Sequence, residues 1–79
     1  MRSNLLKSKR VERCKTQSFA ASLIEKSVDA YAKKERGEVS FTPAEISALT
    51  KGLELSFDEF NDIFFDSKLQ FSKYSDKNA

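Results

Sequence analysis

Apolar residues fall in three short groups separated by polar residues in the first half of the chain, and Ala20, Leu23 and Ile24 of the second group recur three and four positions apart. This spacing predicts short helices, because it places the apolar side chains on one face of each helix. Residues that favour a helix start precede the groups. We therefore predict three helices. The first is capped by Ser3 or Asn4 and runs to about Arg13, the second is capped by Thr16 and runs to about Ile24, and the third is capped by Ser27 and runs to about Glu35. Gly37 is the left-handed residue that ends the third helix.

The second half of the chain contains two fuller helix-start signals. The segment "TPAE", which begins at Thr42, has a capping hydroxyl, a proline at the first helical position and a glutamate three residues after the cap. The segment "SFDE", which begins at Ser56, has the same capping box. We expect the first of these helices to stop at Gly52. The second carries apolar residues at helical spacing, which we expect to be buried as one stripe: Phe57, Phe60, Ile63 and Phe64.

The length of 79 residues suits one small domain, near the size at which a single apolar core is only just sufficient. A hydrophobic share of 39% beside 33% charged residues favours a compact fold over disorder. Five predicted helices and no strong strand pattern indicate an all-α fold. We predict a five-helix domain over residues 1–67 and a C-terminal tail or extension over residues 68–79.

Charge is unevenly distributed along the chain, although the net charge is only +2. Residues 1–36 carry ten Lys and Arg against four acids, whereas residues 37–79 carry four Lys against eight acids. A basic half beside an acidic half is typical of a protein with a polyanionic partner. An ordinary solvated surface that happens to be uneven explains the charge alone equally well.

The chain contains one cysteine and no histidine. Cys14 has no second cysteine for a disulfide and no histidine with which to bind zinc, so we expect a buried or half-buried thiol in a reducing compartment. The first ten residues lack the apolar run of a secretory signal, and no later run approaches the length of a membrane span. We predict a cytoplasmic protein with no membrane partner.

Carboxylates are numerous, but their spacing does not predict a catalytic centre. The acids of the last predicted helix fall on what should be its solvated face: Asp58, Glu59, Asp62 and Asp66. They have neither a nucleophile with its base nor a histidine or cysteine cluster beside them, and they lack the glycine and ligand spacing of a calcium loop. We therefore expect no enzyme activity, no metal, no cofactor and no small-molecule substrate.

The arrangement of several of these residues resembles the Cro/CI-type, or XRE-family, helix-turn-helix domain of phage repressors and small prophage regulators. Thr16-Gln17 opens the second helix, Ala21 follows five residues after Thr16 and Ile24 three further on, and "ERG" at residues 35–37 ends the third helix. "FTPAEISALTKGLELSFDEF" follows as a pair of helices, so that the resemblance covers roughly residues 5–65. It implies a compact five-helix, lambda-repressor-like DNA-binding domain, in which Ala21 allows the two motif helices to cross closely.

The chain departs from the family pattern at four positions. Glu25 stands where the turn between the motif helices usually has glycine, and Lys26 stands where an aliphatic residue usually follows. Lys34 occupies a position that is often apolar, and Ala20 one that is often larger. A glutamate at a position with positive φ carries a conformational cost. These departures leave open whether the turn keeps its usual shape, whether helix 2 runs longer, and whether the DNA-facing surface is retained.

The resemblance implies which residues would meet DNA. The start of the recognition helix would enter the major groove, with base contacts from Lys26, Ser27, Val28, Asp29 and Lys33. Asp29 is equally well explained as an acid that favours a helix N-terminus. The resemblance implies contacts to the DNA backbone from six further residues: Gln17, Lys7, Lys15, Arg36, Ser40 and Thr42. It also implies that Arg10 and Glu35 form a structural ion pair that orients the recognition helix.

A single domain of this size buries little surface on DNA, so the resemblance also implies a homodimer on a two-fold operator. Apolar residues at the end of the chain are a candidate dimer surface: Phe65, Leu69, Phe71 and Tyr74. The alternative is that the tail folds back over the core of its own domain.

Two functions of different classes therefore remain. The first is a sequence-specific transcriptional regulator of the phage Cro or repressor type, which acts by occupying a double-stranded operator. The second is a protein-interaction module, such as an antitoxin, antirepressor or inhibitor, that has kept the fold and lost or weakened DNA binding. Glu25, Asp29 and the acidic second half favour the second.

Overall fold

The computed structural model describes residues 1–65, and this part of the chain is compact and all-helical, with five helices and no strand. The predicted all-α, five-helix fold is confirmed for these residues. The predicted domain boundary at residue 67 and the tail over 68–79 lie outside them. The helices are α1 (Ser3–Glu12), α2 (Gln17–Leu23), α3 (Val28–Glu35), α4 (Pro43–Gly52) and α5 (Phe57–Phe65).

A single apolar core joins all five helices. α2 packs against α3 and α4, while α1 packs against α5 and α3. Small residues bring α2 close to its neighbours: Ala20 and Ala21 are buried, and a Cβ atom at Gly52 would lie 2.4 Å from the side chain of Leu23. The buried apolar residues are Leu6, Ala20, Ala21, Ile24, Tyr31, Leu49, Leu53, Leu55 and Ile63.

Side-chain caps start four of the helices where the sequence predicts them. Thr16 Oγ1 accepts from the Phe19 N–H at 3.0 Å, and Ser27 Oγ accepts from the Ala30 N–H at 3.1 Å. Full capping boxes start the last two helices, from Thr42 to Glu45 and from Ser56 to Glu59. These hydroxyls and carboxylates satisfy N–H groups that have no partner within the helix.

The first helix starts differently. Its N-cap residue is Arg2, whose side chain makes no capping hydrogen bond, so the predicted cap at Ser3 or Asn4 is wrong. The backbone N–H of Arg2 instead donates to the carbonyl of Ile63 at 2.7 Å. A bond to another helix fixes the start of α1, and such a bond leaves no local signal in the sequence.

The first four helices end in the same way, with a left-handed residue after the C-cap and an N–H from the following residue donated back into the last turn. Gly37 is one of these residues, as predicted. α4 stops at Gly52, as predicted, and the left-handed residue that follows its C-cap is Glu54. The four residues and their φ angles are Cys14 (59°), Glu25 (58°), Gly37 (85°) and Glu54 (55°).

The predicted apolar stripe of α5 is only partly buried. Ile63 is fully buried, and Phe60 and Phe64 are half-buried, but Phe57 remains 42% exposed. Phe41, in the loop before α4, packs its ring edge-on against Phe64, with 5.8 Å between the ring centroids. α5 packs against α1, and its most exposed aromatic residues are Phe57 and Phe65.

Two further expectations differ from the structure. Cys14 is exposed rather than buried, because it occupies the left-handed position just after α1. Glu59 does not lie on a solvated face, since its carboxylate accepts from Arg13 Nη2 at 2.8 Å and from the Ser56 N–H at 2.9 Å, and lies 3.4 Å from Lys9 Nζ. Together with Arg13 and Lys9, the Ser56 N–H lowers the pKa of Glu59 to about 2. Asp66, grouped with it from the sequence, lies outside the described residues.

Candidate functional site

Helix α3 presents one face to the protein interior and the opposite face to solvent. Tyr31, Lys34 and Glu35 are buried on the inner face. Ser27 caps the start of the helix and Gly37 ends it, so both limits of α3 are set by local hydrogen bonds. The element is therefore held at both ends and along its inner face, while its first turn is left accessible.

All five residues predicted to contact DNA bases are exposed, and they lie on α3 or in the two positions before it. Val28, an apolar residue, is 43% exposed. Neither Lys26 nor Lys33 forms an ion pair within residues 1–65, which leaves both ammonium groups available. The set is Lys26, Ser27, Val28, Asp29 and Lys33.

A buried hydrogen-bond cluster around Glu35 fixes the inner face of α3. Arg10 Nε donates to Glu35 Oε2 at 2.7 Å, and Arg10 Nη2 donates to Oε1 at 3.3 Å. Tyr31 Oη donates to Oε2 at 2.9 Å and Gln17 Nε2 donates to Oε1 at 3.0 Å. Burial alone would raise the pKa of Glu35, but the hydrogen bonds from Arg10, Gln17 and Tyr31 outweigh burial and lower it.

The guanidinium of Arg10 also reaches the turn after α1. Its Nη1 donates to the carbonyl of Lys15 at 2.7 Å. Arg10 therefore links α1, the loop before α2, and the inner face of α3. The ion pair inferred from the family pattern is present in the fold, and its hydrogen bonds orient α3 relative to two other elements.

A second buried ion pair was not predicted from the sequence. Lys34 Nζ donates to Glu45 Oε1 at 2.9 Å and to the carbonyl of Ser40 at 3.1 Å, and it lies 5.9 Å from the centre of the Phe41 ring. Burial tends to raise the pKa of Glu45, but the Thr42 N–H and Lys34 more than offset burial and lower it. The lysine at a usually apolar position thus connects α3 to the start of α4.

Of the six residues predicted to contact the DNA backbone, three use their side chains in contacts within the protein and three are exposed. Gln17 uses its side-chain amide within the Glu35 cluster, and Thr42 uses its hydroxyl to cap α4. Arg36 Nε is paired with Glu38 at 2.6 Å. The other three candidates are exposed: Lys7, Lys15, whose ammonium lies 4.8 Å from the centre of the Phe19 ring, and Ser40.

The turn between α2 and α3 retains a tight geometry despite its unusual residues. α2 ends at Leu23, Glu25 adopts φ 58°, and the Lys26 N–H donates to the Ala21 carbonyl at 3.0 Å. Glu25 therefore adopts the left-handed conformation that glycine takes at low cost, and helix 2 does not run longer.

The candidate dimer surface can be located only at its first residue. Phe65 is 37% exposed and lines an apolar groove between α4 and α5. Leu69, Phe71 and Tyr74 lie outside the described residues. Residues 1–65 contain no helix long and apolar enough to cross a membrane, and no group of histidine, cysteine and acidic side chains placed to hold a metal ion.

Comparison of the chain with protein-family models, curated proteins and solved structures finds no match.

Proposed function

We propose that this chain is a sequence-specific DNA-binding regulator whose helix α3 enters the major groove. The observation that carries the proposal is the accessible first turn of α3, framed by Lys26 and Lys33, on a helix whose opposite face is held by Arg10 and Glu45. A rigid helix with an exposed polar edge suits major-groove recognition, since that groove admits an α-helix and displays a distinct pattern for each base pair.

Each exposed side chain of this edge has a chemical counterpart among the bases. Lys33 and Lys26 can donate to guanine O6 and N7, Ser27 can donate or accept, and the exposed methyl groups of Val28 can contact a thymine methyl. Asp29 can accept from cytosine N4. Because Asp29 also lies in the first turn of α3, part of its role is to stabilise the helix start.

The proposed backbone contacts come from residues on either side of this edge. Lys7 and Lys15 supply exposed ammonium groups, and Gln17 has a second amide hydrogen besides the one that it donates to Glu35. Arg36, Ser40 and Thr42 lie beyond the end of α3 and complete the set. Contacts of this kind position the protein and make its affinity fall steeply with salt.

Two copies on a two-fold operator are part of the proposal. A single small domain covers few base pairs, so useful specificity requires half-sites about 34 Å apart. Operator occupancy by two copies would exclude polymerase without any further domain. Sedimentation on palindromic DNA that detects only one copy per duplex would remove this part.

A protein-interaction module is the second candidate. The observation that favours it is the apolar groove between α4 and α5, where Phe57 and Phe65 are exposed. Two acidic residues, Glu25 in the turn before α3 and Asp29 in its first turn, also oppose close approach to phosphate.

Gel-shift measurements separate the two candidates. The chain is titrated into duplexes selected from a random-sequence pool and into the DNA upstream of its own gene, at low and moderate salt. We expect a specific complex that Lys33→Ala weakens about tenfold, because one good base contact contributes about 1–3 kcal/mol. Lys51→Ala, an exposed lysine on α4, is the matched control and should bind as the unmodified chain does. Failure to enrich any sequence, or equal weakening by both variants, would favour the interaction module.

A further inference from the structure

The loop between α3 and α4, residues 36–42, carries three of the residues predicted to contact the DNA backbone: Arg36, Ser40 and Thr42. Residues 36–40 and Thr42 are exposed, whereas Phe41 is half-buried, with its ring centroid 6.1 Å from that of Tyr31. A loop with so little buried apolar area gains little from packing. Hydrogen-bond donors in such a loop can position the protein on a phosphate backbone only if further contacts fix the loop.

The buried side chains of Lys34 and Glu45 supply these further contacts. Lys34 Nζ donates to the Ser40 carbonyl at 3.1 Å and to Glu45 Oε1 at 2.9 Å. The same Oε1 atom accepts from the Thr42 N–H at 3.0 Å. One ammonium and one carboxylate oxygen thereby join three elements: the last turn of α3, the α3–α4 loop and the first turn of α4.

Burial makes this ion pair an unfavourable way to fill space. Lys34 is 8% exposed and Glu45 is 7% exposed. Two charges lose hydration when they are buried, and apolar residues of similar volume often replace such a pair without loss of stability. An apolar side chain at position 34, however, could not donate to the Ser40 carbonyl. The pair therefore contributes the position of the loop rather than stability.

We propose that Lys34 is a positioning residue for DNA binding, which holds the α3–α4 loop so that Ser40 and Thr42 meet the phosphate backbone. The inference rests on the proposed function, because the loop belongs to the same DNA-contacting surface as the first turn of α3. The ammonium of Lys34 does not contact DNA itself, since it is buried and bonded to Ser40 and Glu45. The Thr42 hydroxyl, which accepts from the Glu45 N–H, keeps its own hydrogen to donate to phosphate.

The contacts that Lys34 positions come from neutral groups on the DNA backbone side. Backbone contacts carry no sequence information, so their loss should weaken binding to every duplex by the same factor. Neutral groups release no counterions from DNA, so their loss should leave the salt dependence of the affinity unchanged. These two features distinguish positioning of the loop from a direct phosphate contact and from base recognition.

A double variant that keeps the net charge tests the proposal. Lys34→Met with Glu45→Leu removes both members of the ion pair and replaces them by apolar side chains of similar volume. Fluorescence-anisotropy titrations measure its affinity for the duplex that the unmodified chain prefers and for an unrelated duplex of the same length, at several salt concentrations. We expect an affinity about tenfold lower on both duplexes, since each lost hydrogen bond weakens binding severalfold, with the same salt slope.

The matched control is Lys9→Met with Glu12→Leu, which also keeps the net charge. Its ion pair lies on the exposed side of α1, with 3.4 Å between the charged atoms, and neither residue is predicted to contact DNA. This control should bind both duplexes as the unmodified chain does.

Three results on DNA would overturn the inference. Unchanged affinity in the Lys34→Met, Glu45→Leu variant would show that the pair has no part in DNA binding. A salt slope reduced by about 0.9 would show that Lys34 neutralises a phosphate directly. A loss confined to the preferred duplex would show that the pair serves base recognition by α3. Failure of the unmodified chain to bind either duplex would instead overturn the proposed function, so the two failures are distinguishable.

Amide hydrogen exchange of the free protein tests the loop without DNA. In the Lys34→Met, Glu45→Leu variant, the amides of residues 39–42 should exchange about tenfold faster, because the Ser40 carbonyl and the Thr42 N–H lose their partners. The amides of Tyr31 and Leu49 lie in the core and should exchange as before, which would show that the variant is folded. Unchanged exchange in residues 39–42 would contradict the inference whatever the affinity for DNA.

Discussion

At the scale of single residues, three side chains adopt a conformation that glycine adopts at less cost. Cys14, Glu25 and Glu54 each have φ between 55° and 59° at the end of a helix, where only Gly37 has the residue type that usually occupies the position. A residue with a Cβ atom in this region costs roughly 1 kcal/mol more than glycine. The chain therefore forms its turns with backbone hydrogen bonds that outweigh local strain.

Glu25→Gly should raise the free energy of unfolding by about 0.5–1 kcal/mol, because it removes this strain from the turn between α2 and α3. Glu25 is exposed and makes no hydrogen bond through its side chain in the described structure, so little is lost with it. Urea denaturation measures the change. Gly37→Ala, at the corresponding end of α3, is the reverse control and should lower stability by a similar amount. A decrease for Glu25→Gly would show that the left-handed conformation is not strained here.

At the scale of the elements, two buried ion pairs constrain the orientation of α3. Its consecutive residues Lys34 and Glu35 pair with different helices, Lys34 with Glu45 at the start of α4 and Glu35 with Arg10 on α1. Buried pairs of this kind contribute little net stability but make a misplaced helix costly, since displacement would leave charges without partners.

Lys34→Ala should lower the free energy of unfolding by about 1–3 kcal/mol, because the buried carboxylate of Glu45 would lose its ammonium partner. Lys33→Ala, the neighbouring exposed lysine, is the control and should change stability by less than about 0.5 kcal/mol. Both are measured by urea denaturation at neutral pH. Equal effects would mean that the Lys34–Glu45 pair does not hold α3 against α4.

Four of the helix starts could be predicted from the sequence because their caps are local interactions. Contacts between helices could not be predicted, because they depend on how the helices pack. Each capping hydroxyl accepts a hydrogen bond from an N–H only three residues further on, so the cap can be recognised in a short stretch of sequence. The capping residues are Thr16, Ser27, Thr42 and Ser56. The left-handed conformation of Cys14 after α1 and of Glu54 after α4 could not be predicted, because neither residue is a glycine. The tertiary bond of Arg2 to Ile63 and the Lys34–Glu45 pair depend on which helices meet.

The candidate site shows the same division. Exposure of the first turn of α3 follows from the position of Tyr31 and Glu35 on its inner face, and it agrees with what the family resemblance implied. The hydrogen bond from Gln17 to Glu35 and the ion pair of Arg36 with Glu38 could not be predicted from the sequence. Glu35 lies on a different helix from Gln17, and Glu38 lies beyond the end of α3.

At the scale of the whole molecule, the free energy of unfolding should vary with pH in the acid range and stay nearly constant around neutral pH. The hydrogen bonds described above lower the pKa of Glu35, Glu45 and Glu59, and for Glu59 the value is about 2. A lowered pKa in the folded state means that the unfolded state takes up protons first. The contribution of these groups is complete above their ordinary pKa of 4.5 and is lost as pH falls towards 2.

The free energy of unfolding should therefore be nearly constant from about pH 5 to 8 and fall steeply below about pH 4.5. Denaturant titrations at a series of pH values measure it. The chain has no histidine, so no transition is expected near pH 6.5. Glu59→Gln should flatten part of the acid decline, because one group that takes up a proton on unfolding has been removed. A decline centred near neutral pH would contradict the assignment to these carboxylates.

The central claim is that the exposed edge of α3 is the surface that contacts DNA. Backbone-amide chemical shifts of the ¹⁵N-labelled chain, recorded during titration with a mixed-sequence duplex at low salt, test this claim directly, since non-specific binding needs no known operator. We predict that the largest changes fall on residues 26–33 and on Gln17, and that moderate salt reverses them. Changes confined to Ile46, Thr50 and Phe60 in the α4–α5 groove, or no changes in α3 at saturating duplex, would contradict the account.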